Sequence, residues 1–112
     1  MVTEINPEKD GLISEEQFKK NIREDTFLVS VMLANNEIGV IQPIENISKI
    51  CKSRGITFHS DFAQCLGYMA LGNLLSDLNM ITMSSHKIYG PKGIGLLSVS
   101  YTHLTLPTIY SV

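Results

Sequence analysis

Thr26 to Ala34, TFLVSVMLA, is nearly all apolar, rich in branched side chains, and runs straight into Asn35-Asn36-Glu37-Ile38-Gly39. An apolar run without alternation suits a strand buried on both faces, as in a parallel sheet whose crossovers lay helices over it. Two asparagines and a glycine directly after it mark a turn at the strand's carboxyl end. The chain is therefore expected to be α/β, with a mostly parallel sheet and flanking helices. The run is far shorter than the ~20 residues a membrane helix needs.

Helices are readable on either side of this run. In ISEEQF, Ser14 is placed to cap a helix, Gln17 to reach back to it, and Ile13 to staple against Phe18. Phe18 and Ile22 then share a face, and the helix is expected to last to about Arg23. Pro43 opens a second helix, with Ile44, Ile47 and Ile50/Cys51 on one face and Gly55 ending it. Met1 to Asn6 reads as a short strand and Pro7 to Gly11 as a turn. Ile56–Phe58, Met80–Met83 and Ile94–Leu97 read as further strands. Strand, helix and strand in the order Thr26–Ala34, Pro43–Gly55, Ile56–Phe58 make a right-handed crossover with parallel strands.

The 112 residues are 44% hydrophobic and 18% charged, with net charge −2, an ordinary globular composition of one small domain or part of a larger one. A weakly acidic chain without basic runs argues against nucleic acid as a partner. The opening MVTEINPEKDG is too polar for a secretory signal. Cys51 and Cys65 have neither disulfide-framework nor zinc-site spacing, and both read as packing residues. No metal site is expected, and the setting is a reducing compartment.

Ligand chemistry in open α/β sheets gathers beyond the carboxyl ends of the strands. Three strand ends deliver Asn36, then Asp61 with Gln64, then Ser84 with His86 and Lys87. Each has a bland explanation alone: a turn asparagine, a helix-capping aspartate, a solvated loop lysine. His59 reads as a core-edge or capping histidine without chemistry. Together the residue types match what pyridoxal phosphate asks of a protein. A lysine amine condenses with its aldehyde, and a carboxylate keeps the pyridine nitrogen protonated. Hydroxyls and an imidazole bind its phosphate, and amides hold its phenolic oxygen.

The stretches VSVMLANNEIGVIQPI, ITFHSDFAQCLG and SSHKIYGPKGIG resemble the cysteine desulfurases, class V aminotransferase-like enzymes of fold type I, and most nearly their NifS/IscS-like branch. The resemblance covers about Asp10 to Ser98. It implies Lys87 as the Schiff-base lysine and catalytic residue, and Asp61 as partner of the pyridinium nitrogen. It implies Gln64 and Asn36 at the phenolic oxygen, and Ser84 and His86 at the phosphate. Ser85 stands where the family commonly has glycine. The implied activity converts L-cysteine to L-alanine and passes sulfur, as a persulfide on an enzyme cysteine, to iron–sulfur cluster or related synthesis. The implied setting is a homodimer with sulfur-acceptor or scaffold proteins, in the cytoplasm or, in a eukaryote, an organelle.

The family's chains are several times longer. Its phosphate loop and ring-stacking histidine belong upstream of this segment, and its persulfide cysteine and substrate arginine belong downstream. Residues 1–98 are expected to form the central part of the cofactor-binding domain, inactive alone and prone to associate through uncovered apolar sheet. Residues 99–112 are expected to be non-native: VSYTHLTLPT reads as a translated transposase-type sequencing adapter. Alternatives are a selenocysteine lyase, another class V enzyme, or a non-catalytic remnant or interaction module of the same fold.

Overall fold

The computed structural model describes residues 1–35, 37, 39–62, 78–84 and 92–100, and the backbone of strand residues 110–111. Helix α1 spans Glu15–Asn21, two residues short of the expected end. Ser14 caps it, its hydroxyl accepting from the Gln17 amide at 3.1 Å. The reciprocal half of the capping box does not form. Gln17 instead donates from Nε2 to the Asn6 carbonyl at 2.7 Å, tying down the N-terminal segment. Residues 1–6 form no strand, and no described strand pairs with them. The Pro7–Gly11 turn is present, closed by the Gly11 amide on the Glu8 carbonyl at 2.8 Å.

Strand β1 is Leu28–Met32. The apolar run then bends at Leu33 and enters a small antiparallel hairpin of β2 (Ala34–Asn35) and β3 (Val40–Ile41). The single strand expected over Thr26–Ala34 is thus two. Helix α2 (Ile44–Ser53) starts after Pro43 and buries Ile44, Ile47, Ser48 and Cys51. It ends in a Schellman closure: the Gly55 amide donates to Lys52 and the Ile56 amide to Cys51. That closure needs the left-handed backbone that Gly55 supplies at φ +67°.

Strands β4 (Thr57–Asp61) and β5 (Met80–Ser84) follow, and both run to residues that the sequence placed just beyond them. β1 pairs parallel with β4, and β4 pairs parallel with β5. β6 (Gly95–Val99) returns antiparallel beside β5, shifted from the expected Ile94–Leu97. β7 (Tyr110–Ser111) pairs antiparallel with β6, giving the order β1-β4-β5-β6-β7. The sheet is mixed, and four of its strands point the same way.

Side chains alternate across a pleated sheet, so register assigns each residue to a face. Val29, Val31, Phe58, Ser60 and Ile81 share one face, and Val31, Phe58 and Ile81 join Phe18 of α1 and Ile44, Ile47 and Cys51 of α2 in one core. The opposite face presents Leu28, Ser30 and Met32, then Thr57, His59 and Asp61, then Met80, Thr82 and Ser84. Here the expectation of a strand buried on both faces is corrected. Leu28 and Met32, on this opposite face, remain 46% and 40% exposed. The reason is position: β1 is the edge strand, and the core that gathers α1 and α2 lies on its other face.

Candidate functional site

The three parallel strands end at one edge, and register sets their last residues abreast. Met32 of β1 pairs with Asp61 of β4, and Asp61 pairs with Thr82 of β5. Ser84 lies two residues further along β5 on the same face, about 7 Å beyond Thr82 at strand rise. The structure therefore brings Asp61 and Ser84 to one edge and one face. Asn36, Gln64, His86 and Lys87 lie outside the described residues. In the chain, Lys87 follows the end of β5 by three residues, and Asn36 follows the end of β2 directly.

Asp61 is the last residue of β4. Its peptide is held from both sides. The Asp61 carbonyl accepts from the Leu33 amide at 3.2 Å, and the next amide, Phe62, donates to the Thr82 carbonyl at 2.9 Å. These main-chain bonds fix the backbone from which the carboxylate extends, a precondition for placing it against a ligand cation. Beneath this point Ser60, fully buried, donates from its hydroxyl to the Val31 carbonyl at 2.7 Å, fastening β4 to β1 on the core face.

The sequence also left out a polar row across the sheet. His59 Nδ1 is 2.7 Å from the Ser30 hydroxyl on β1, and Nε2 is 3.1 Å from the Thr82 hydroxyl on β5. The contact to Ser30 is lateral, since the two residues are register partners. The contact to Thr82 is diagonal, towards the carboxyl edge, and ends on the residue that stands beside Asp61. Burial lowers the His59 pKa from its ordinary value, opposed by the nearby negative charge of Asp61. The signal for this row was a histidine two residues before Asp61, hence on its face, but its partners come from other strands.

The turn after β1 is shaped by Asn35, whose side-chain oxygen accepts from the Glu37 amide at 2.8 Å, and by Gly39, whose amide donates to the Asn35 carbonyl at 3.0 Å. Cys51 is fully buried in the core, and desolvation pushes its thiol up to about 11. That is the chemistry of a packing residue, as its sequence context indicated. Cys65 lies outside the described residues. Among the described residues no group of His, Cys, Asp and Glu is arranged to hold a metal ion, and no helix is long and apolar enough to cross a membrane.

Residues 1–107 match the family model described as aminotransferase class-V. The chain is 50% identical over 98 residues to a cysteine desulfurase IscS of Histophilus somni, covering 88% of this chain and 24% of that protein. It is 48% identical over 98 residues to a mitosomal cysteine desulfurase of Trachipleistophora hominis, covering 88% of this chain and 22% of that protein. Among solved structures it superposes on SspA in complex with cysteine with a TM-score of 0.81 at 41% identity, over 87% of this chain and 28% of that one. The chain spans about a quarter of the length of the curated relatives it matches.

Proposed function

Because the chain belongs to the aminotransferase class-V family, we propose that it is the central part of the pyridoxal phosphate-binding domain of a cysteine desulfurase. The observation that carries this reading is the placement of Asp61 and Ser84 on one face at the carboxyl edge of parallel strands, in a chain half identical to curated desulfurases.

The residues fit the group. Asp61, its peptide bonded on both sides, offers a carboxylate from a fixed stretch of backbone to a pyridinium nitrogen. Ser84 offers a hydroxyl to a phosphate, and His86, two residues on, an imidazole. Lys87 anchors the cofactor and carries the proton taken from the substrate α-carbon. Gln64 and Asn36 hold the phenolic oxygen. Bound there, pyridoxal phosphate supplies the electron sink that lets a substrate cysteine part with its sulfur. The sulfur acceptor is a cysteine of the complete enzyme, and the complete enzyme is a homodimer that delivers sulfur to a scaffold protein. Its compartment is the cytoplasm, or an organelle if the source is a eukaryote. Residues 99–112 are a non-native tail under the same reading.

The test begins with the locus. Sequencing across both ends of the reading frame is expected to continue the desulfurase pattern past Ser98 into a cysteine-bearing loop and a later arginine. The complete product should then release sulfide from L-cysteine in the presence of a thiol and carry a visible pyridoxal absorbance that Lys87→Ala abolishes. A natural frame that encodes VSYTHLTLPT and stops after Val112 would overturn the enzymatic reading in favour of a remnant of the fold.

A further inference from the structure

His59 is held on both ring nitrogens by uncharged hydroxyls, Ser30 on β1 and Thr82 on β5. A neutral imidazole matches that pair well, donating to one hydroxyl and accepting from the other, because a hydroxyl can do either. The ring shares a sheet face with Asp61, two residues along β4, so the two side chains stand about 7 Å apart at their roots. Its diagonal bond ends on Thr82, which is Asp61's neighbour across β5. The neighbouring strands contribute Leu28, Ser30, Met32, Met80, Thr82 and Ser84 to this face, none of them ionisable. The charged residues of α2 belong to a helix packed on the other face. Asp61 is thus the described ionisable group whose charge reaches the imidazole.

We propose that His59 is a positioning residue of the Asp61 site: neutral, it leaves the carboxylate's charge to a cationic heteroaromatic nitrogen of the ligand, whereas protonated it becomes a rival cation on the same face and weakens that ligand's hold. This deepens the pyridoxal phosphate reading and rests on it. Burial without a compensating anion bond keeps the imidazole neutral around pH 7. As pH falls, the ring acquires charge, its acceptor nitrogen becomes a donor, and Asp61 gains a further cation on its face. At that separation a unit-charge interaction is worth about threefold in affinity in water and about fiftyfold at a protein surface.

The experiment uses the complete protein that carries this segment. Pyridoxal phosphate affinity is measured by absorbance between pH 5.5 and 8 for wild type, His59→Gln and Asp61→Asn. The acid-side weakening of wild type should exceed that of His59→Gln by about threefold or more, with the two converging above pH 7.5. Superimposable pH profiles would overturn the proposal. Asp61→Asn keeps the two readings apart: if it binds the cofactor as wild type does, the cofactor reading itself is at fault. Should His59→Gln fail to fold, the titration of His59 followed by NMR in wild type and Asp61→Asn decides instead. Removal of the carboxylate should lower the histidine's pKa, and an unchanged titration would overturn the coupling.

Discussion

Asn79 brackets Phe58: its side-chain oxygen accepts from the Phe58 amide at 2.8 Å, and its own amide donates to the Phe58 carbonyl at 3.2 Å. On its other side the Asn79 carbonyl accepts from the Ser100 amide at 2.6 Å. One residue thus starts β5 in register with β4 and fastens β6 to it. Asn79→Ala removes the acceptor for a part-buried amide and is expected to cost about 1–3 kcal/mol. Asn79→Asp, which keeps that acceptor, should lose less. Denaturant unfolding of the three proteins side by side tests the ranking, and equal stabilities would contradict it.

Cys51 should be unreactive while the fold persists. Its thiol is fully buried and desolvation raises its pKa to about 11, so thiolate, the reactive form, is scarce. Alkylation at pH 8, mapped by mass spectrometry to distinguish Cys51 from Cys65, should track unfolding. The sign of the stability linkage follows from the raised value. The contribution is complete below the unfolded thiol's pKa of roughly 8.5, and it is lost as pH rises from there through about 11. Cys51→Ala should soften this alkaline decline.

Gln42 is the clasp between the N-terminal segment and the start of α2. Its side chain accepts from the Ile13 amide at 2.9 Å and donates to the Gly11 carbonyl at 2.9 Å, while its amide donates to the Leu33 carbonyl at 2.8 Å. Gln42→Ala breaks the two side-chain bonds and keeps the main-chain one. The expected loss is about 1–2 kcal/mol, felt locally. Hydrogen exchange should report faster exchange at Ile13 with little change at Phe58, and uniform acceleration would show that the clasp supports the whole fold.

The edge strand predicts association of the 112-residue chain on its own. Leu28 and Met32 expose apolar surface on β1, as does Phe27 just before it, and among the described residues the outer backbone edge of β1 has no partner strand. Sedimentation should show concentration-dependent assembly, reduced by Met32→Lys, a charge on the exposed face that leaves the core untouched. A monodisperse wild-type chain would contradict this.

Asp61→Asn in the complete protein keeps the side chain's shape and removes its charge. Loss of a paired carboxylate should weaken cofactor binding by about 2–5 kcal/mol, read from the visible absorbance at fixed cofactor concentration. Full retention of that absorbance would contradict the assigned role.

Local pattern was enough to reveal both helices of the described region, the cap at Ser14, the closure at Gly55 and the burial of Cys51, because each depends on residues within one or two turns of chain. The convergence of Asp61 and Ser84 was legible for a related reason: strand direction in a parallel crossover sends successive strand ends to the same edge. Tertiary structure decided the rest. Whether β1 would be covered on both faces depended on which strand became the edge, and whether Gln17 would complete its capping box depended on where the Asn6 carbonyl came to lie. His59 acquired partners only when register set Ser30 beside it and Thr82 diagonally ahead. A sequence lists hydrogen-bonding groups, but a bond across strands exists only once register fixes which groups meet.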